Sequence, residues 1–345
     1  MHALYKTQIK NICSKLHTKN LQSLNTTSNG TFSYIRNIHK NFSQNPQTDK
    51  IQQNTEFKET SEKSSNQTND KSNIDDFISF GYKTVKKEER QSLVNTVFAS
   101  VASKYDIMND AMSLGVHRVW KNEFVNSIGL LRHNIIYDAD GKSREEKLKI
   151  IDVAGGTGDI AFRIWEKARN DAKNYFTTIP VEITVVDINS NMLEVGKSRA
   201  IAQNIPDEDI KWVESNAEQL SFLPDNSVDL YTISFGIRNC TEIDKVLREA
   251  HRILKKGGRL MCMEFSKVTI PVLSNIYDFY SFYMIPEMGK LIAGDKESYQ
   301  YLVESIRNFP DQETFKKKIE EAGFNSVKYV NLSAGIVAIH SGIKL

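Results

Sequence analysis

The chain has 345 residues, of which 40% are hydrophobic and 26% are charged, and its net charge is +2. Such a composition can fill one large core or two modest ones, and no Lys/Arg cluster favours nucleic-acid binding. The three cysteines are far apart and suggest neither a disulfide framework nor a zinc site, so we expect no metal. No run reaches the roughly 18 apolar residues of a membrane-spanning helix, so we expect any membrane contact to be peripheral.

The first 48 residues contain lysine and arginine but no Asp or Glu, and they are rich in Ser, Thr and Asn. This composition is typical of a mitochondrial transit peptide, whose apolar residues line one side of a helix and whose lysines line the other. A basic disordered tail is the alternative interpretation. Residues 49–74 offer almost nothing to bury and are predicted to form a disordered linker. The folded domain is therefore expected over residues 75–345.

The folded part opens with a helical pattern over residues 86–125, where apolar side chains recur at three- and four-residue spacing. Residues 131–148 mix charges with an Asp-Gly pair. We expect this second segment to form an exposed loop.

From residue 149, short apolar strands alternate with helices. The strand segments read KIIDVAGG, VEITVVDIN, IKWVESNA, SVDLYTISFGI and RLMCMEF. This alternation predicts a doubly wound, mostly parallel α/β sheet, in which ligands bind outside the carboxyl ends of the strands. Residues 326–345 read as two more strands joined by a Ser-Ala-Gly turn, a hairpin that closes one edge of a seven-stranded sheet.

A glycine cluster, DVAGGTGDIAF, lies where the first of these strands ends and a helix begins. Glycines there let the backbone approach a ligand, and the helix amino end offers unpaired N–H groups. The spacing matches neither the G-x-G-x-x-G dinucleotide fingerprint nor a phosphate loop. Asp152 precedes the glycines, and a structural role and a ligand role are equally open for it. Gly155, Gly156 and Thr157 are candidates to hold the amino-acid end of a cofactor.

Polar residues also follow the next three strands, and together with the glycines they are typical of a Rossmann-like, class I S-adenosylmethionine-dependent methyltransferase. Asp187 closes the second strand, where its carboxylate could accept both ribose hydroxyls. Asn216 offers an amide to the adenine edge, and the N–H of Ala217 can point at a ring nitrogen. Ser234, on the fourth strand, is expected near the methionine moiety or the transferred methyl group. S-adenosylmethionine is therefore the predicted cofactor.

Two segments resemble the paired signatures of the ubiquinone/menaquinone biosynthesis C-methyltransferase family: YDIMNDAMSLGVHRVW, residues 105–120, and RILKKGGRLMCMEFS, residues 252–266. The second signature departs from the usual pattern at Ile253 and Lys256. The resemblance runs from about Phe80 to the end of the chain. It implies methyl transfer from S-adenosylmethionine to a ring carbon of a 2-methoxy-6-polyprenyl-1,4-benzoquinol in ubiquinone biosynthesis.

The resemblance also implies that residues 86–125 form a helical lid across the strand ends. Tyr105 is expected to shelter the sulfonium with its ring face, and His117 either faces the quinol or is a core histidine. Arg238 and Asn239 are expected at the pocket mouth, where Arg238 would stabilise or help generate a phenolate and Asn239 would hold the quinol oxygen. An Arg238 paired with a surface acid is the alternative.

Residues 271–292 are rich in Tyr, Phe, Ile and Met. They are either core or the face of a homodimer, or else a wall for the polyprenyl tail that contacts the mitochondrial inner membrane peripherally on its matrix side. Beside the quinol substrate, the resemblance implies other subunits of a coenzyme Q synthesis complex as partners. Two alternatives to the function stay open: a structural subunit of such a complex that keeps the methyltransferase fold, and a methyltransferase with a different small-molecule acceptor.

Overall fold

A seven-stranded sheet organises the described part of the chain, which in this computed structural model is residues 76–101, 105–129, 131, 134–137, 143–175 and 180–345. These residues all belong to one compact unit. The predicted transit peptide and linker lie outside the described residues, and both stay predictions.

The amino-terminal part contains two small antiparallel hairpins and three helices. Its elements are β1 (Phe77–Phe80), β2 (Lys83–Lys86), α1 (Lys87–Val101), α2 (Tyr105–Ser113), α3 (Val116–Asn126), β3 (Asn134–Tyr137) and β4 (Ser143–Glu146). The helical prediction for residues 86–125 is confirmed. The loop prediction for residues 131–148 is wrong where the chain is described, because β3 and β4 pair antiparallel there. Sequence analysis missed the β1–β2 hairpin.

The main sheet has the strand order β10-β11-β9-β8-β5-β6-β7. Its strands are β5 (Leu148–Val153), β6 (Val181–Asp187), β7 (Ile210–Glu214), β8 (Val228–Ser234), β9 (Leu254–Phe265), β10 (Asn325–Leu332) and β11 (Val337–Ile343). The first five are parallel to one another, and β11 and β10 pair antiparallel at one edge. The predicted doubly wound sheet with a closing hairpin is confirmed.

Helices cover both faces of this sheet. They are α4 (Asp159–Tyr175), α5 (Ser190–Ala202), α6 (Ile243–Ile253), α7 (Pro271–Phe279), α8 (Ile285–Met288), α9 (Lys296–Asn308) and α10 (Gln312–Glu321). Two π-helical turns, Tyr280–Met284 and Gly289–Ala293, flank α8. Within the described ranges, no helix is both long enough and apolar enough to cross a membrane.

The core consists of two apolar layers, one on each face of the sheet. Successive residues of a strand point to opposite faces, so Ile150 joins one layer while Ile151 joins the other. Phe124 of α3 packs in the first layer, and Leu247 of α6 and Phe315 of α10 pack in the second. Because both faces are covered, the central parallel strands are mainly apolar, and most of their polar side chains gather near the carboxyl ends.

Candidate active site

The glycine loop after β5 brings the backbone close to the ends of β5 and β6. A Cβ atom on Gly155 would lie 2.7 Å from Val185 Cγ1 and 2.9 Å from an Asp152 carboxylate oxygen, so no larger residue fits. Gly156 has a φ of +54°, in the left-handed region that favours glycine. Its N–H donates to Asp187 Oδ2 over 2.9 Å. The loop therefore packs directly against the acid that ends the next strand.

A cavity opens at these strand ends, and all seven residues predicted to bind a cofactor line it. This strand-end cavity is lined by Gly155, Gly156, Thr157, Asp187, Asn216, Ala217 and Ser234, among others. The residues come from four loops and strands that are far apart in the sequence. The sheet order brings them together, as expected for parallel strands whose carboxyl ends share one edge.

Asp187 is the principal acid of the strand-end cavity. Its Oδ1 accepts the N–H of Asn189 over 2.9 Å, and its Oδ2 accepts that of Gly156. Burial raises the pKa of Asp187, and these two donors oppose the rise. Asn216 is oriented by the Glu218 N–H, which donates to Asn216 Oδ1 over 2.9 Å. The carboxylate and the amide are thus both fixed before any ligand binds.

Two buried polar atoms of this cavity have no hydrogen-bond partner within the described part of the chain: Ser234 Oγ and Asp152 Oδ2. The other Asp152 oxygen accepts the Thr232 hydroxyl over 2.8 Å. Burial raises the pKa of Asp152 to about 7. One Asp152 oxygen is thus bonded within the fold, as a structural role requires, whereas the other has no partner among the described residues, and the ligand role stays a prediction.

The lid closes the strand-end cavity from above. Gln91, Val94 and Asn95 of α1 line it. Lys121 of α3 also lines it, and its ammonium lies 2.7 Å from Asp159 Oδ2 at the start of α4. The lining by α1 and α3 agrees with the predicted place of the lid, whose closing action stays a prediction. Sequence analysis missed these four lining residues, since nothing in the sequence distinguishes them from ordinary polar and apolar positions of a helix.

A second cavity, of about 410 Å³, lies under the lid. This lid cavity is lined mainly by apolar and aromatic side chains of α2, α3, α7 and α9 and of the π-helical turn between α7 and α8, among them Met112, Trp120, Tyr277, Tyr280, Tyr299, Tyr301 and Leu302. Three residues, Lys121, Phe235 and Asn239, line both cavities. The two cavities therefore adjoin. The strand-end cavity is the more polar of the two, and the lid cavity is mainly apolar.

Arg238 and Asn239 lie on a 3-10 turn, Ile237–Asn239, directly after β8. The prediction that they stand at the pocket mouth is wrong: both are buried, and both line the lid cavity. Arg238 does pair with an acid, but with the buried Glu264 of β9 and not with a surface residue, at 2.7 Å. Burial raises the pKa of Glu264, and the Arg238 guanidinium opposes the rise.

Sequence analysis missed Glu264, although the segment LMCMEF carried a usable signal. A single acid within a strand predicted to be buried needs a cationic or hydrogen-bonding partner. Arg238 is 26 residues earlier in the chain but on the neighbouring strand end. Its Nε is buried and has no partner among the described residues. The guanidinium is thus held through Nη1 by Glu264 and by the Phe235 backbone oxygen, and its Nε lacks a partner there.

His117 is buried and lines the lid cavity. Its Nε2 lies 2.8 Å from Asp110 Oδ1, and its Nδ1 has no partner in the described structure. Burial lowers the pKa of His117, so its neutral form is favoured. Hydrogen bonds from Arg118 and His117 hold the pKa of Asp110 well below its usual range. Tyr105 is the first residue of α2, but its side chain lies outside what is described, and its role stays a prediction.

Comparison with known proteins decides the family. The model of the ubiE/COQ5 methyltransferase family matches residues 83–344. The chain belongs to this family. Membership confirms the predicted enzyme class, an S-adenosylmethionine-dependent methyltransferase of class I fold. At the level of the family, it also confirms the predicted function, that of a C-methyltransferase in ubiquinone biosynthesis. S-adenosylmethionine is the methyl donor. In the described ranges, no cluster of three or more His, Cys, Asp or Glu side chains could hold a metal ion.

Similar proteins include enzymes from an amoeba, a plant and a bacterium. The mitochondrial 2-methoxy-6-polyprenyl-1,4-benzoquinol methylase of Dictyostelium discoideum is 50% identical over 285 residues, which cover 77% of this chain and 86% of that one. The protein of the same name from Arabidopsis thaliana is 52% identical, with coverages of 77% and 90%. The ubiquinone/menaquinone biosynthesis C-methyltransferase UbiE of Brucella anthropi is 51% identical, with coverages of 77% and 93%.

Proposed function

We propose that this enzyme transfers the methyl group of S-adenosylmethionine to a ring carbon of 2-methoxy-6-polyprenyl-1,4-benzoquinol. The observation that carries the proposal is the pair of adjoining cavities, a polar one at the strand ends and an apolar one of about 410 Å³ under the lid. A charged cofactor and a prenylated aromatic acceptor need such different surroundings. The amoeba and plant relatives, at 50% and 52% identity, are named for methylation of this quinol.

The strand-end cavity fits S-adenosylmethionine, which supplies an electrophilic methyl group on a sulfonium when it is bound. Asp187 would accept the ribose hydroxyls, and Asn216 with the Ala217 N–H would hold the adenine edge. The glycine loop, including Gly155, Gly156 and Thr157, would hold the amino-acid end. The two unpartnered atoms, Asp152 Oδ2 and Ser234 Oγ, support this fit, because a buried polar atom without a partner is costly until a ligand supplies one.

Arg238 would favour the phenolate form of the acceptor. A quinol ring carbon becomes nucleophilic when a ring hydroxyl loses its proton, so a positive charge beside that oxygen promotes the reaction. The unpartnered Arg238 Nε is the donor available for this, and Glu264 fixes the guanidinium in place. The side-chain oxygen of Asn239, Oδ1, accepts the Tyr301 hydroxyl over 3.2 Å. Its amide nitrogen therefore remains to hold a quinol oxygen.

His117 would accept the hydroxyl proton. The pKa of Asp110 is so low that its carboxylate can only accept a hydrogen bond, and His117 Nε2 must therefore carry the proton that is donated to it. The other ring nitrogen, Nδ1, is then an unprotonated base in the lid cavity. A carboxylate that fixes the tautomer of a neutral histidine is an established arrangement for general bases.

Cellular location is part of the proposal. Mitochondrial names of the plant and amoeba relatives and the acid-free first 48 residues support a mitochondrial enzyme. Peripheral contact with the matrix side of the inner membrane is supported by an exposed apolar stripe, which consists of Val272, Ile276, Phe279 and Tyr283. The same segment lines the lid cavity with Tyr280 and Ile285. Association with other subunits of a coenzyme Q synthesis complex, and a homodimer, stay predictions.

The test is turnover of the full chain with S-adenosylmethionine and a reduced, short-tailed 2-methoxy-6-polyprenyl benzoquinol, followed by mass spectrometry. We expect a gain of one methyl group, no product from the oxidised quinone, and a higher KM for an acceptor without the tail. Tight cofactor binding with no methylated quinol would contradict the proposal, and it would favour a different acceptor or a structural role in a complex.

A further inference from the structure

Arg90 of α1 joins the lid to the turn that carries Arg238 and Asn239. It is buried although it is charged. Its Nη1 donates to the backbone oxygen of Asn239 over 2.8 Å, and its Nη2 donates to that of Arg238 over 3.1 Å. Its Nε donates to the backbone oxygen of Ser79 in β1 over 2.9 Å. One guanidinium thus holds three carbonyl groups from two separate segments.

A second connection reaches the same turn through aromatic side chains. Phe80, the last residue of β1, stacks on Tyr301 of α9 with ring centroids 4.3 Å apart and an interplanar angle of 20°. The Tyr301 hydroxyl then donates to Asn239 Oδ1 over 3.2 Å. The backbone of Asn239 is therefore held by Arg90, and its side chain is held by Tyr301.

The β1–β2 hairpin is itself attached to α9. The N–H of Tyr82 donates to Glu304 Oε2 over 2.9 Å, and the Asn308 amide donates to the backbone oxygen of Gly81. Gly81 has a φ of +59°, and a Cβ there would lie 2.2 Å from Glu304 Oε2. The hairpin turn thus favours glycine and fits closely against α9. The hairpin therefore connects the lid to the acceptor side of the site.

We propose that Phe80, Arg90 and Tyr301 form a clamp that fixes the Ile237–Asn239 turn, with Arg90 as its main positioning residue for methyl transfer. The proposal rests on the function proposed above, in which this turn presents Arg238 and Asn239 to the quinol. Arg90 suits the task because its planar group has five donors in a rigid fork, whereas a lysine has one compact charge that cannot span the same carbonyls.

Positioning matters here because a shift of about 1 Å in a group that aligns reactants can reduce the rate on the order of 100-fold. The same helix that carries Arg90 lines the strand-end cavity with Gln91, Val94 and Asn95. The clamp therefore connects the cover of the cofactor to the groups that meet the acceptor. Neither cavity is complete unless α1 is in place.

The test is a double-mutant cycle of Arg90→Lys and Arg238→Lys in the full chain, with kcat for the reduced quinol, cofactor Kd and the unfolding midpoint as readouts. We expect Arg90→Lys to lower kcat on the order of 30-fold with cofactor Kd changed less than about threefold. If Arg90 acts through Arg238, the double variant loses little more than Arg238→Lys alone. If the kcat losses of the two single variants instead multiply in the double variant, the clamp is overturned.

The matched control is Arg259→Lys. Arg259 Nη1 donates to the backbone oxygens of Ser127 and Ile128, both over 3.1 Å, so it also holds two successive carbonyls. Arg259 lies in the first half of β9, where it is paired with Leu230 near the amino end of β8 and away from the carboxyl strand ends at the cavities. We expect this variant to lose a similar amount of stability with kcat within about twofold of wild type. A purely structural role for Arg90 would make the two variants behave alike.

The variants distinguish a failure of the clamp from a failure of the proposed function. Wild-type turnover in Arg238→Lys overturns the role of the Arg238 Nε donor, whereas wild-type turnover in Arg90→Lys beside an impaired Arg238→Lys overturns the clamp alone. If Arg90→Lys does not fold, Tyr301→Phe decides, because it keeps the ring that stacks on Phe80 and removes only the hydroxyl bonded to Asn239. We expect kcat to fall about fivefold, the effect of one hydrogen bond, and unchanged turnover would overturn the clamp.

Discussion

The two cavities of this enzyme differ in whether their central charged groups are paired. In the strand-end cavity, the carboxyl groups of Asp187 and Asp152 have no cationic partner in the described structure and are held by N–H and hydroxyl donors. At the lid cavity, Arg238 is already paired with the buried Glu264. Substitutions should therefore affect mainly ligand binding at the first cavity and mainly folding at the second.

The largest effect is expected from Arg238→Met. It leaves Glu264 buried without its partner, which destabilises a protein by about 3–5 kcal/mol. It also removes the proposed donor to the quinol oxygen, which should cost on the order of 100-fold in kcat. The double variant Arg238→Met/Glu264→Gln should regain the stability but not the turnover. Denaturant unfolding and kcat measure the two effects separately, and recovered turnover in the double variant would rule out a catalytic role for Arg238.

His117→Gln should lower kcat on the order of 100-fold without a large change in quinol KM, because it removes the proposed proton acceptor. In the wild type, kcat should fall as the pH drops and His117 becomes protonated, with a midpoint below 6.5 because burial lowers its pKa. The variant should lack this dependence. His340→Gln is the matched control, since His340 is also buried with one nitrogen bonded, to the Gln312 backbone oxygen, but lines neither cavity.

Asp187→Asn should weaken S-adenosylmethionine binding by on the order of 10- to 100-fold, the range of one charge-assisted hydrogen bond. Its stability without ligand should fall by about 1–2 kcal/mol, because the two Asp187 oxygens accept the Gly156 and Asn189 N–H groups and an amide nitrogen can accept neither. Calorimetric titration and thermal unfolding measure both quantities. Asp209→Asn is the control, as Asp209 accepts the Trp165 indole N–H at the other end of the sheet. Unchanged cofactor binding in Asp187→Asn would contradict the role proposed for this carboxylate.

Asp152 gives the strand-end cavity a pH dependence of its own. Its pKa is raised from 3.8 to about 7 in the folded chain, so between these values the native state binds the extra proton and stability falls as pH rises. With a folded pKa of about 7, the wild type should lose about 1.4 kcal/mol of ligand-free stability between pH 6 and 8 through this group. Between the same two pH values, the ligand-free stability of Asp152→Asn should fall by about 1.4 kcal/mol less than that of the wild type. Unfolding at both pH values measures the difference.

The smallest effect on folding is expected at the exposed apolar stripe outside the lid cavity. Val272→Glu/Ile276→Glu should change stability by less than about 1 kcal/mol, because both side chains face solvent. Binding to vesicles that contain anionic lipid should fall severalfold if this face meets the membrane. Ile201→Glu is the control, an equally exposed apolar residue on α5. Equal vesicle binding by all three proteins would remove the stripe from the membrane contact.

The seven candidate cofactor residues of the strand-end cavity could be identified from the sequence because each ends a strand or follows one closely. Gly155, Asp187 and Asn216 are identified by position along the chain, and the parallel topology then places them together. The lid cavity could not be predicted in this way. Arg90, Lys121 and Glu264 reach the site through contacts between distant segments, such as the 148 residues that separate Arg90 from Arg238. Only Glu264, an acid in an apolar strand, carried a local signal.

The measurement that most directly tests the account is NMR of the product formed from S-adenosylmethionine labelled with ¹³C in its methyl group and the reduced short-tailed quinol. We expect one labelled methyl group bonded to a ring carbon, with its yield reduced in Arg238→Met/Glu264→Gln and in His117→Gln. A labelled methyl group on a quinol oxygen, or no labelled quinol from protein that binds the cofactor tightly, would contradict the assignment of the lid cavity to carbon methylation.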